Sequence, residues 1–149
     1  MDKDKLTETR FAQKLAEEDA RARKLVAAGD FGEAASIYKE ILADPIIDRI
    51  ADISLLTKIS LFASNASFTL VDAGLPEQAL ETAKKALTVA ARTGEIYPLA
   101  RYHFILSLVQ YRKGDLNEAE ANLLQAIRGF EAVDRKRDIG HCLNNLGRI

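Results

Sequence analysis

The sequence predicts an all-α protein built as a helical repeat array, and three observations predict it. The first is a turn-and-helix stretch that occurs three times. Gly114-Asp115-Leu116-Asn117-Glu118-Ala119 runs on through Leu123 to Ala126. Gly29-Asp30-Phe31-Gly32-Glu33-Ala34 leads through Tyr38 to Ile41, and Gly74-Leu75-Pro76-Glu77-Gln78-Ala79 leads through Ala83 to Ala86. In each, Ala follows Gly by five positions, with core-type residues four and seven further on; such self-similarity fixes an architecture before any single residue is interpreted. The second is apolar spacing of three and four along nearly the whole chain, with no strand alternation. The third is composition: 48% hydrophobic and 29% charged residues with only 3 Pro and 8 Gly fit a folded helical protein and argue against disorder.

Seven helices follow in order. The first, from about Asp4 to Ala28, sets Phe11, Leu15, Ala22 and Leu25 on one side and interleaved charges such as Glu17, Glu18, Arg21 and Lys24 on the other. Gly29 ends it. Asp30 with Glu33 three residues on reads as a capping box for the second helix, which presents Ala34, Ile37, Tyr38, Ile41 and Leu42 and stops near Asp44-Pro45. A long helix is expected from Ile47 to Ala73, apolar at Ile50, Ile53, Leu56, Ile59, Phe62, Ala63, Ala66 and Leu70. The next, Pro76 to Thr93, starts on a proline tolerated in a first turn and buries Ala79, Leu80, Ala83, Ala86, Leu87 and Ala90. After Gly94, a helix from Pro98 to Lys113 carries Leu99, Tyr102, Ile105, Leu106 and Val109. Gly114-Asp115 with Glu118 repeats the cap-and-box pattern, and that helix reaches about Val133. The last segment, Asp138 to Ile149, places Ile139, Cys142, Leu143 and Leu146 on one stripe.

At 149 residues the chain is expected to form a single domain, 1–149, with approximate repeats at 4–45, 47–93 and 95–134 and a partial repeat or capping helix at 137–149. A net charge of -1 gives no field that would draw the protein to nucleic acid. The charged N-terminus has no apolar stretch behind it and does not read as a signal peptide. Asp48, Arg49, Asp52 and Lys58 interrupt the longest apolar-rich run, so no membrane insertion is expected. The single cysteine, Cys142, gives no sign of an oxidising compartment, and the setting is expected to be cytoplasmic. His103 and His141 have no Cys or acidic partner at ligand spacing, and each Gly stands alone at a helix end rather than in a phosphate-binding loop. No metal, cofactor or enzymatic activity is expected.

The repeated pairs resemble tetratricopeptide repeats. Ala34 with Tyr38, Ala79 with Ala83 and Ala119 with Leu123 match the second-helix signature. Leu143 with Leu146-Gly147, Ala63 with Ala66-Ser67 and Leu70, and His103 with Leu106-Ser107 and Gln110 match the first-helix one in decreasing quality. Ala22, Ser67, Ser107 and Gly147 supply the small residue at which paired helices approach. The turn glycines lie 45 and then 40 residues apart, against about 34 in the common repeat. That longer period is similar to repeats of kinesin light chains and of bacterial peptide-sensing regulators. The resemblance implies a right-handed superhelical array of antiparallel helix pairs, an α-solenoid of about seven helices. The retained Gly147 motif favours a piece of a longer array over a closing cap.

In such arrays the first helices line a concave groove. Helical spacing then nominates Asp19 and Arg23 in the first pair, Ser64, Asn65, Phe68 and Asp72 in the second, and Arg101, Phe104, Leu108, Tyr111 and Arg112 in the third. His141, Asn144, Asn145 and Arg148 complete the face on the last helix. The resemblance implies protein or peptide binding, with Asn65 and Asn145 holding a peptide backbone. Phe68, Phe104 and Tyr111 would be aromatic anchors, and Arg101, Arg112 and Arg148 would meet carboxylates. Phe104 and Leu108 serve equally well as helix packing, Arg112 and Lys113 as dipole-balancing charge, and Arg135-Lys136-Arg137 read as a solvated cap. Two alternatives stand beside this reading: a sensory or regulatory domain of a larger signalling protein, and a scaffold that self-associates through its C-terminal helix.

Overall fold

The computed structural model describes residues 2–149. Among these the chain forms seven α-helices and no strand: α1 (Lys3–Ala27), α2 (Phe31–Leu42), α3 (Ile53–Asp72), α4 (Pro76–Ala90), α5 (Tyr97–Lys113), α6 (Leu116–Ala132) and α7 (Lys136–Leu146). A short 3-10 turn, Pro45–Arg49, stands between α2 and α3. Adjacent helices pack as pairs, α1 on α2, α3 on α4 and α5 on α6. Contacts also run from α1 to α3, from α3 to α5 and from α2 to α4, and α7 packs on α6.

The repeated glycines explain the pairing. Gly29, Gly74 and Gly114 have φ of 82°, 79° and 86°, the left-handed region open to glycine. In each turn the next residue's N–H reaches back to a last-turn carbonyl: Asp30 to Leu25 at 2.8 Å, Leu75 to Leu70 at 2.9 Å, Asp115 to Gln110 at 2.9 Å. Carbonyls that would otherwise be orphaned are thereby satisfied. The chain enters the second helix in a fixed register, and the nine recurring positions are all buried: Ala34, Tyr38, Ile41, Ala79, Ala83, Ala86, Ala119, Leu123 and Ala126.

The expected capping boxes do not form. Asp30 and Asp115 make no side-chain cap, because the glycine turn holds their ψ at 63° and 67°. Leu75, at the same place in the third turn, has a ψ of 66°. Asp2, Asp44 and Asp52, with extended ψ, do cap their helices.

The long helix expected from Ile47 is also corrected. It breaks at Ile50–Asp52 because Arg92, just past α4, donates to the carbonyls of Ile47 (2.6 Å) and Ile50, and Glu8 on α1 accepts from the Ala51 N–H at 2.7 Å. Ile53 is consequently exposed at the first turn of α3. Leu99 and Leu143, both expected on buried stripes, are exposed as well. The last helix spans Lys136–Leu146 rather than Asp138 to Ile149, and buries Cys142 while Ile139 and Leu146 are half-buried. Ala22, Ser67 and Ser107 are buried as the small-residue pattern requires, whereas Gly147 is an exposed helix end.

Two apolar clusters result. One joins α1 to α5; the other joins α5, α6 and α7 around Phe130, with Phe68 and Leu108 packed against both. Helices α5 and α6 approach closely, for a Cβ added at Gly129 would lie 2.7 Å from Ala100 Cβ. Gly129→Ala is therefore expected to destabilise by about 1–3 kcal/mol, despite the better helix propensity of Ala. Gly140→Ala, inside α7 with nothing within 4 Å of the new Cβ, is expected to stabilise by about 0.5–1 kcal/mol. Urea unfolding decides between them, and shifts of the same sign would contradict the packing described.

Candidate functional site

Tyr97, Arg101 and Phe104 recur at four and three residues on α5, so they share one face. That face meets Asn65 and Phe68, which lie near each other on α3. The Phe68 and Phe104 rings pack at 5.4 Å between centroids, tilted by 57°. The Arg101 guanidinium lies 4.6 Å above the Phe68 ring, donates through Nη2 to Asn65 Oδ1 at 2.8 Å and through Nη1 to the Tyr97 hydroxyl at 2.9 Å. Its Nε is the one buried side-chain nitrogen or oxygen among the described residues with no hydrogen-bond partner. Stacking over an aromatic face adds about 0.5–2 kcal/mol and holds the guanidinium in place.

The contacts continue past α5. Tyr97 packs on Phe130 at 5.8 Å and lies under Arg135, whose guanidinium is 4.3 Å from the ring centroid. Arg135 also donates to the Tyr97 hydroxyl at 3.1 Å and pairs with Asp138 at 3.1 Å. Arg135, exposed like Lys136 and Arg137 as a solvated cap requires, is thus also part of a cross-helix cluster. Its spacing of three to Asp138 was the visible signal, and the four-residue step from Tyr97 to Arg101 was another.

Toward α1 the same surface opens into a polar cavity of about 360 Å³, lined by Asp19, Arg23, Val26, Tyr38, Phe62, Asn65, Ala66 and Thr69. Asp19 and Arg23 pair along its α1 wall at 3.1 Å. Tyr38 packs edge-on against Phe62 at 5.6 Å. Burial raises its phenol above the ordinary value, opposed by the polar Thr69 side chain nearby. Because Asn65 Oδ1 is taken by Arg101, the Asn65 amide N–H groups are left to face this space.

The remaining predicted residues divide. Leu108, Tyr111 and Asn145 come together with Ser107, Leu123 and Ile149 around a cleft of about 10 Å³. Tyr111 is exposed, and Asn145 Nδ2 is turned back to the His141 carbonyl at 2.9 Å. His141 and Asn144 are exposed on α7, and Arg148 is exposed just beyond its end. Phe104 is buried, and Ser64, also nominated for the groove, is buried too. Arg112 does not join Arg101: its guanidinium donates to the Val71 carbonyl at the end of α3, whose last turn has no basic residue of its own. His103 binds Asn122 Oδ1 at 2.8 Å, and Asn122 in turn binds Gln110, a side-chain network between α5 and α6.

No protein-family model matches the chain, and no curated protein matches it. Among the described residues no helix is long and apolar enough to cross a membrane.

Beneath the cluster, Cys142 is fully buried and its thiol is pushed up to about 12, chiefly by burial and secondarily by Asp138. Against an ordinary value of 9.0, the sign is fixed. The contribution is fully present below pH 9, where the unfolded thiol is also protonated, and is lost as pH rises toward 12. Stability is expected to fall across that window by at most about 1.4 kcal/mol per pH unit from this group. Tyr38 adds a loss of the same sign, so the comparison with Cys142→Ala isolates the thiol. Urea midpoints that fall equally in both proteins would contradict the assignment.

Proposed function

We propose that the chain is a peptide-binding module, a right-handed array of tetratricopeptide-like helix pairs that holds an extended segment of a partner protein along the face of α1, α3, α5 and α7. The contacts of α1 with α3, α3 with α5 and α2 with α4 support such stacking. The observation that carries the binding reading is the polar cavity between α1 and α3, continuous at Asn65 with the Arg101 cluster. Amide donors from Asn65, the Asp19–Arg23 pair and the Tyr38 and Thr69 hydroxyls offer both donors and acceptors. A peptide backbone, which presents one of each per residue, uses such a surface well. Binding rather than catalysis, in a cytoplasmic setting, is the activity assigned.

The test is a random-peptide display selection against the intact chain, followed by fluorescence anisotropy on a selected peptide. Asn65→Ala and Asp19→Ala are each expected to weaken binding by about tenfold, the loss of one or two buried hydrogen bonds. Glu120→Ala, exposed on α6 and outside the cavity lining, leaves affinity unchanged. A selected peptide bound equally well by both cavity variants places recognition elsewhere and sinks the proposal.

A second reading, self-association, is favoured by Leu143, which is 54% exposed on α7. On that reading, the mass measured by sedimentation rises with concentration for the wild type and stays monomeric for Leu143→Glu. A wild type that is monomeric throughout removes it.

A further inference from the structure

Two guanidinium groups converge on one phenol oxygen: Arg101 Nη1 and Arg135 Nη2 donate to the Tyr97 hydroxyl at 2.9 Å and 3.1 Å. A phenol offers two acceptor lone pairs and one donor hydrogen. Both lone pairs are engaged, so the O–H hydrogen is what remains, and no acceptor takes it among the described residues. The two cations also share the ring itself, at 5.5 Å and 4.3 Å from its centroid.

Like charges drawn together this way repel, and among the described residues the only carboxylate paired with either of them is Asp138, on Arg135. Asn65 contributes a neutral oxygen to Arg101. The cluster therefore keeps a net positive charge, and its spare capacity is of one kind: the Tyr97 O–H and the unused guanidinium N–H groups, all donors. Tyr97 and Arg101 are half-buried and Arg135 is exposed, so the cluster is open from one side. Donors without a matching acceptor, carrying excess positive charge at an accessible site, suit an oxyanion, which two guanidiniums can grip through paired N–H bonds.

We propose that Arg101, Tyr97 and Arg135 form an oxyanion site that takes a carboxylate. The carboxylate is an acidic side chain or the C-terminal carboxylate of the bound segment. That its carrier is a peptide rests on the function proposed above; the oxyanion site does not.

The experiment is an NMR titration of the isotope-labelled full chain, following the Arg101 and Arg135 Nε–H signals. Sodium acetate is the first probe, compared with sodium chloride at matched ionic strength. Acetate is expected to shift both signals saturably and beyond chloride. Arg135→Gln weakens this by about tenfold, as expected for losing one charge-assisted pair. Tyr97→Phe, which removes only the hydroxyl, weakens it by a few-fold while far-UV circular dichroism stays unchanged. Acetate no more effective than chloride, or equally effective on both variants, overturns the site.

Three penta-alanine probes then distinguish the source: one blocked at both ends, one blocked with a central Glu, one with a free C-terminus. Tighter binding of the Glu peptide or of the free-ended peptide supports the site and names its source. A blocked peptide bound as tightly as the other two overturns the carboxylate assignment while leaving peptide binding standing. Acetate bound with none of the peptides held more tightly leaves the oxyanion site and removes the peptide as its carrier.

Discussion

A helix cannot hand its chain to an antiparallel neighbour within two or three residues unless its last carbonyls find donors there. In this protein a left-handed residue supplies the geometry each time. Gly29, Gly74 and Gly114 close their helices with the same pair of backbone hydrogen bonds, and Asp134, with φ of 54°, does so between α6 and α7. Register follows from closure. Once the turn is fixed, the residues five, nine and twelve positions beyond each of the three glycines must face the preceding helix. All nine are Ala, Leu, Ile or Tyr, and all nine are buried. Small side chains at most of these positions let helices of a pair lie close, down to the approach of Gly129 on Ala100.

Charged residues then join one pair to the next. Arg92 satisfies the Ile47 and Ile50 carbonyls, Arg112 satisfies Val71, and Glu8 receives the Ala51 N–H. Each binds a backbone group of another segment, from 41 to 45 residues away in the chain. Hydrogen bonds to charged groups are the stronger kind, about 1.5–3 kcal/mol apiece. These arginines are consumed by the scaffold. Arg101 and Arg135 instead stack on aromatic rings and share a side-chain hydroxyl, which leaves N–H groups of each guanidinium unpaired among the described residues.

That division marks the limit of what the sequence makes legible. The glycine turns and the buried triplets are local patterns, and the helix count and pairing can be read from them. The break before α3 cannot be, because Ile47, Ile50 and Ile53 keep helical spacing through it and the groups that impose it lie on α1 and beyond α4. Asp30 and Asp115 show the same limit on a smaller scale: the residue type suits a cap, but the glycine before it sets a ψ from which the side chain makes none. On α7, the stripe of Ile139, Cys142, Leu143 and Leu146 is real, but α6 covers only one side of it, and Leu143 is left outside. Among the site residues, Asn65, Phe68 and Arg101 sit together as spacing suggested. Arg112 fits a groove and a helix end equally well in sequence, and only the position of Val71 separates the two roles.

The candidate site is also mechanically placed. Phe68 and Leu108 pack against both apolar clusters, and Phe68 is the ring on which Arg101 rests. A change in the angle between the α3–α4 and α5–α6 pairs must therefore move the Phe68–Phe104 contact and with it the guanidinium. The converse holds by linkage: a ligand that prefers one setting of Arg101 favours one packing of the two clusters over another. Tyr97 extends the coupling to α7 through Arg135 and Asp138, so three helix layers meet at one phenol. On the proposed reading, recognition at this surface and the relative placement of the helix pairs rest on the same set of contacts.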